Sequence, residues 1–139
     1  MADCIDCRPG CCKPGQNALH TTFGSCPLTC ETCCDTQRMS FAIAAGDVIG
    51  PRTVVYFTGD DVEVNFDGTV ITVAEVTVEP GAATDVAGIS QWGIDNTAGD
   101  AGAVAFLVHA KVYSCGLALN GAKVSDLRRV GLFVENIVQ

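Results

Sequence analysis

Residues 62–73, VEVNFDGTVITV, predict a β-hairpin. Val62, Val64 and Phe66 alternate with polar residues, which is the two-residue period of a strand. Asp67-Gly68 follows, and this dipeptide favours a type I′ turn because both central residues of that turn need a positive φ. Counted outward from the turn, the expected pairs are Phe66–Thr69, Val64–Ile71 and Val62–Val73. One face of the hairpin is therefore almost wholly apolar, and we expect it to point inward.

Strand patterns continue on both sides of this hairpin. Residues 53–58, TVVYFT, are β-branched and aromatic, and residues 103–114 form the clearest strand of the chain. On that strand we expect one shared apolar face, made of Val104, Phe106, Val108, Ala110 and Val112. Residues 124–130 carry apolar side chains three apart and predict a short helix, which Gly131 would end. The prediction is a mainly β fold: a small barrel- or sandwich-like body with one short helix.

The N-terminal segment has a different composition. Eight of the nine cysteines lie between Cys4 and Cys34, among turn-forming Pro-Gly pairs. A segment this small cannot be held by a hydrophobic core, so its cysteines must be bonded to each other or to metal. We therefore divide the chain into an irregular cysteine-rich knot at 1–35, a connector at 36–41, and a β-rich domain at 42–139.

Three chemistries compete for these cysteines. Disulfide bonding could involve all eight, Cys4, Cys7, Cys11, Cys12, Cys26, Cys30, Cys33 and Cys34. Zinc binding would use the two CxxC pairs, Cys4, Cys7, Cys30 and Cys33, although few basic residues offset the resulting negative charge. Redox catalysis through CxxC needs a helix N-terminus in a βαβ unit, and no such pattern surrounds these motifs. Cys115 follows the long strand, and we expect it to be a buried free thiol.

The negative net charge argues against two classes of binding partner, nucleic acids and anionic membranes. The chain carries a formal charge of −8, most of it beyond residue 40, so phosphate backbones and anionic membranes should repel it. No run of about 18 apolar residues is present to span a bilayer, and the first residues lack the basic and apolar regions of a signal peptide. We expect synthesis in the cytoplasm and a partner that is neither nucleic acid nor membrane.

From Asp85 onward the chain resembles the head decoration proteins of tailed phages, the lambda-type capsid-stabilising family. The resemblance is carried by DVAGISQWGIDNTAGDAGAVAFLVHAKVY, which holds a Val-Ala-Gly-Ile element at 86–89, an Asp-rich turn and a long apolar strand. In that family a small insert, a short helix and a closing hydrophobic strand follow, as residues 124–130 and 133–138 would supply. The match covers roughly residues 42–139. The cysteine knot departs from the family pattern, in which the N-terminus is an arm that orders against the shell.

The resemblance implies a structural virion protein and no enzyme. It implies a homotrimer on the outer surface of the capsid, binding the major capsid protein and cementing adjacent subunits against internal DNA pressure. The connector could add to a capsid-protein sheet, which makes Arg38, Met39 and Phe41 the candidate contact residues. No cofactor is implied. Release by lysis into an oxidising medium would let thiols close after assembly, which favours disulfides over zinc.

Two other functions stay open on the residues alone. One is a binding module, in which zinc knuckles are joined to a β-sandwich that recognises protein or glycan. The other is a redox or metal-handling enzyme, which requires an exposed thiol of low pKa.

Overall fold

The computed structural model describes residues 36–135 of the chain. The strands are β1 (Gln37–Ile43), β2 (Val48–Ile49), β3 (Val54–Phe66), β4 (Thr69–Thr77), β5 (Val86–Ser90), β6 (Ile94–Asp95), β7 (Ala103–Tyr113) and β8 (Leu132–Glu135). Over the same residues, a single 3-10 turn, Ala83–Asp85, precedes β5, and one helix, α1 (Val124–Arg129), precedes β8. The described part of the chain is thus mainly β with one short helix, as predicted. The predicted knot at 1–35 lies outside the described residues.

The main sheet has the strand order β1-β4-β3-β5-β7-β8, and an additional pairing joins β1 to β7. That pairing closes β1, β4, β3, β5 and β7 into a small barrel, while β8 continues from β7 outside the ring. Neighbours are antiparallel except β1–β4 and β7–β8, which are parallel. A separate two-stranded sheet joins β2 to β6. Closure removes most of the free sheet edges that an open sheet would leave.

Most of residues 36–41, which the sequence predicted as a connector, belongs to β1. This strand pairs with β7 from Gln37↔His109 to Ala42↔Ala103, and its last three residues are buried. The sequence QRMSF alternates poorly, and its strand conformation comes from the partner strand more than from local preference. Among residues 36–135, the β body therefore begins at Gln37.

The hairpin forms in the predicted register. Val62 pairs with Val73, Val64 with Ile71, and Phe66 with Thr69. Asp67 and Gly68 have φ values of 54° and 84°, as a type I′ turn requires. The Asn65 side-chain oxygen accepts a 3.0 Å hydrogen bond from the Gly68 amide, which ties the turn to its own strand.

Two apolar clusters form the core. The barrel interior holds Phe41, Ile43, Ile49, Val55, Val76, Ala87, Ile94 and Phe106. The outer cluster holds Val54, Tyr56, Val86, Ile89, Leu107, Ala110, Val112, Ala122, Leu127 and Leu132. Val54 and Val55 point into different clusters, so the barrel wall is buried on both faces where α1 and the preceding loop cover it.

The shared face predicted for β7 is only partly correct. Val104, Phe106 and Val108 pack on the barrel interior, but Ala110 and Val112 belong to the outer cluster. A register shift between Gln37 and Arg38 of β1 lies opposite residues 107–109 and explains the change, because one extra residue in a strand exchanges its two faces.

Helix α1 forms as predicted and is held from both ends. The Asp126 carboxylate accepts a 3.0 Å hydrogen bond from the Lys123 amide at the helix start, and the helix buries its own Leu127 fully in the outer cluster. Gly131, with φ 98°, ends it.

Candidate interaction surfaces

Two of the three predicted contact residues lie on the surface, at the start of β1. Met39 is 56% exposed. Arg38 is also exposed, and its Nε donates a 2.8 Å hydrogen bond to the Gln91 side-chain oxygen, just beyond β5. Whether Arg38 and Met39 contact a capsid stays a prediction.

Phe41 corrects the third assignment, because it is a core residue. Its side chain is 3% exposed and lies inside the barrel. Its ring meets that of Phe57 edge-on at 5.3 Å between centroids and lies 5.8 Å from that of Phe106. A ring so enclosed stabilises the barrel and has no surface left for a partner.

Trp92 is a surface residue that the sequence reasoning did not single out. It follows Gln91 directly and is 55% exposed. The Arg38–Gln91 hydrogen bond bridges over β7 and brings the start of β1 and the end of β5 into one region of the surface. Met39 and Trp92 are the chain neighbours of Arg38 and Gln91, and we call the four residues the Arg38–Gln91 region. It combines the residue types that most often anchor protein interfaces, and the signal in the sequence was the one tryptophan of an aromatic-poor chain.

The second surface is the outer part of the β3–β4 hairpin, residues 61–74, which we call the arm. A register shift between Phe57 and Asp61, with Gly59 at φ 96°, separates it from the barrel wall. Val62, Val64, Ile71 and Val73 are only half-buried, while Phe66 at the tip is 64% exposed. The apolar face predicted from the sequence therefore exists, but this chain alone does not cover it fully.

An open cleft of about 360 Å³ lies between the arm and the barrel. Val62 and Val64 line one side, Ala42 and Ile43 the other, and Glu63, Glu75 and Asp100 are also at its walls. Asn96 fixes the far wall, because its buried amide nitrogen donates to the Ile43 carbonyl at 2.9 Å and its side-chain oxygen accepts from the Ala101 amide at 2.9 Å. The cleft is mixed in character, with apolar walls and three carboxylates.

The third feature is the loop between β7 and α1, residues 114–123, which is anchored to the barrel. Asn120 donates from its amide nitrogen to the carbonyls of Val54 (3.0 Å) and Val78 (2.6 Å). The Tyr56 hydroxyl donates to the Asn120 carbonyl at 2.8 Å. Burial, followed by the nearby charge of Asp126, raises the pKa of Tyr56 above its ordinary value of 10.0.

Cys115 lies in this loop, and it corrects another prediction. It is disulfide-bonded and half-buried, whereas the sequence predicted a buried free thiol. Its carbonyl accepts a 2.8 Å hydrogen bond from Arg52 Nη1. Position after a strand gave no information about bonding, because the cysteine's partner is set by the tertiary fold.

All eight cysteines proposed for disulfides or zinc lie outside the described residues. Within residues 36–135, no three His, Cys, Asp or Glu side chains are grouped to hold a metal ion. The search for membrane spans in the same residues found no helix long and apolar enough to cross a bilayer. No protein-family model, curated protein or solved structure matches the chain.

Proposed function

We propose that this protein is a structural virion protein: a decoration protein that binds the outside of a tailed-phage capsid and cements adjacent major capsid protein subunits. The proposal begins from the sequence resemblance over residues 42–139. Its support from the structure is the order of elements after residue 103. A long apolar strand, an insert, a short helix and a closing strand follow one another, and α1 and β8 both pack on the barrel.

The Arg38–Gln91 region is the contact surface that we propose for the capsid. Met39 and Trp92 are each more than half exposed and so have apolar surface to bury in a contact, and Arg38 brings a positive charge to a strongly acidic chain. A homotrimer would present this region three times, so that all contacts would have to break together for release. The acidic remainder would keep coated particles apart in solution. We propose no catalytic role.

The test adds the purified protein to expanded shells assembled from the cognate major capsid protein. Trp92 is the only tryptophan of this chain. Subtracting the fluorescence of the capsid protein's tryptophans therefore leaves the emission of Trp92, which reports contact directly. We expect saturable binding, a blue shift of Trp92 emission as its ring leaves water, and shells that resist heating better than bare shells.

Met39→Ser tests the contact residue, and Val70→Ser is its matched control because Val70 is equally exposed, at 60% against 56%, but lies on the arm. M39S should weaken shell binding about tenfold or more, which corresponds to about 1.4 kcal/mol, while V70S should bind normally. Equal binding by both variants would remove the Arg38–Gln91 region from the contact. No binding by the unaltered protein, with stoichiometric zinc in material purified under reducing conditions, would favour the zinc-knuckle binding module instead.

A further inference from the structure

The Cys115 disulfide has only one source of partner within this chain. Cys115 is bonded, and each of the other eight cysteines lies between residues 4 and 34. We infer that this disulfide tethers the cysteine-rich segment to the β7–α1 loop, so that the segment joins the barrel at two points, its peptide bond at Thr36 and the sulfur of Cys115. This inference does not depend on the proposed capsid role.

The loop that carries Cys115 is built as a fixed anchor. Arg52 accepts a 2.8 Å hydrogen bond from the Ala118 amide, and Val54 donates to the Ala118 carbonyl at 3.0 Å. The Arg52 side chain reaches the Cys115 carbonyl itself, at 2.8 Å. Leu117 and Leu119, on either side of Ala118, pack against the outer cluster. A bond to Cys115 is therefore a bond to the rigid barrel rather than to a free loop.

The two attachment points are also within reach of each other. Gln37 pairs with His109, and Cys115 lies six residues further along the chain from His109. At about 3.4 Å per residue this separation is at most about 20 Å. An extended chain spans about 3.5 Å per residue, so even at the full separation a cysteine about six residues or more before Gln37, such as Cys30, can meet Cys115. The tether needs no change in the barrel.

The number of cysteines then has a consequence. The tether leaves seven cysteines in the segment, an odd number, so at least one cannot pair within the chain. Each bond forms when two thiols lose two protons and two electrons, with dioxygen of an aerated medium as acceptor and hydrogen peroxide as product. A metal site can use no more than those seven, so the set Cys4, Cys7, Cys30 and Cys33 survives only if the tether uses another cysteine.

Trypsin separates the two halves of the tether cleanly. Arg8 and Lys13 each precede proline, which blocks cleavage, so one peptide, 1–38, carries all eight N-terminal cysteines. Cys115 is the only cysteine of peptide 112–123. After thiol blocking, denaturation and digestion of the full chain without reductant, we expect 1–38 linked to 112–123, and two separate peptides after reduction. Recovery of 112–123 with a blocked thiol, or linked to a second copy of itself, would overturn the tether.

A second experiment detects the disulfide in the folded protein and distinguishes a bond within one chain from a bond between two chains. A recognition site for a specific protease is inserted between Asp35 and Thr36. On a denaturing gel without reductant, the cut protein should keep residues 1–35 attached at monomer mass, and dithiothreitol should release them. Cys115→Ser should release residues 1–35 without any reductant. Ser114→Ala alters the neighbouring side chain as a control and should behave like the unaltered chain. Release from the unaltered chain without reductant would contradict the inference, and retention only in a dimer would replace it by an interchain bond.

Discussion

The β3–β4 part of the barrel wall and the arm belong to the same two strands, yet they are held by different means. At the barrel end of β3, Val54, Val55 and Tyr56 are each no more than 1% exposed, with neighbours on both faces of the sheet. Beyond the register shift at residues 58–60 the same strand has one polar face and one half-buried apolar face. Period-two alternation is present in the arm and absent at the base. Alternation thus marks where a strand has one covered face at most, and its loss marks the true core.

The largest test of this difference is the same substitution in both regions. Phe41→Ala should lower the free energy of unfolding by about 3–5 kcal/mol, because it opens a cavity between the rings of Phe57 and Phe106. Phe66→Ala, at the arm tip, should change it by no more than about 0.5 kcal/mol. Urea unfolding measures both. If F41A gives no folded baseline, Phe41→Leu should show a smaller loss in the same direction, and equal losses at 41 and 66 would remove the distinction between barrel and arm.

A smaller effect should come from Gly88, where two barrel strands meet without room for a side chain. A Cβ at Gly88 would lie 2.5 Å from the Leu107 carbonyl oxygen, so β5 and β7 would have to separate. Gly88→Ala should cost about 1–3 kcal/mol in urea unfolding. Gly93→Ala is the matched control, since its Cβ would make only ordinary contacts at 3.7 and 3.8 Å. Equal stability of the two variants would mean that the barrel wall is less closely packed than described.

The smallest expected effect on stability depends on pH, and it arises at the buried barrel end of β3 rather than in the solvated arm. The raised pKa of Tyr56 means that the folded state holds the phenol proton more tightly than the unfolded chain does. The associated stability is full below pH 10 and is lost as pH rises from 10 through the folded pKa. Tyr56→Phe should lose about 1 kcal/mol at neutral pH, with the hydrogen bond to Asn120, and should show a flatter decline above pH 10. Parallel pH curves for both proteins would exclude Tyr56 as the titrating group.

The sequence predicted local features well and tertiary features poorly, for physical reasons. Asp67-Gly68 determines its own turn, so hairpin and register followed from a few residues. The helix and its glycine stop were equally local. The strand at Gln37–Ile43 and the change of face in β7 were not predicted, because both depend on pairing between residues far apart in the chain.

The candidate surfaces show the same limit. Arg38, Met39 and Phe41 are neighbours in sequence, and alternation puts Met39 and Phe41 on the same face of β1, but the closed barrel covers only Phe41 and leaves Met39 at the surface. Trp92 is linked to Arg38 only through its neighbour Gln91, which bonds Arg38 across β7. The pairing of β7 with β1 and β5 could not be predicted from the sequence. The bonding state of Cys115 was equally non-local. Exposure and partnership are properties of the closed barrel, which explains why residue type alone could not assign them.

Closure of the barrel also determines how late in its synthesis the domain can fold. The pairs that seal it join residues 61 to 72 positions apart, from Ala42↔Ala103 to Gln37↔His109. At about 5–20 residues per second, a ribosome needs roughly 3–14 s to make the closing strand after the first one. Throughout that interval Phe41 and Ile43 have no finished interior to enter, and nearly the whole domain must leave the ribosome before it can fold. The nascent chain is therefore at its most vulnerable to aggregation just before β7 emerges.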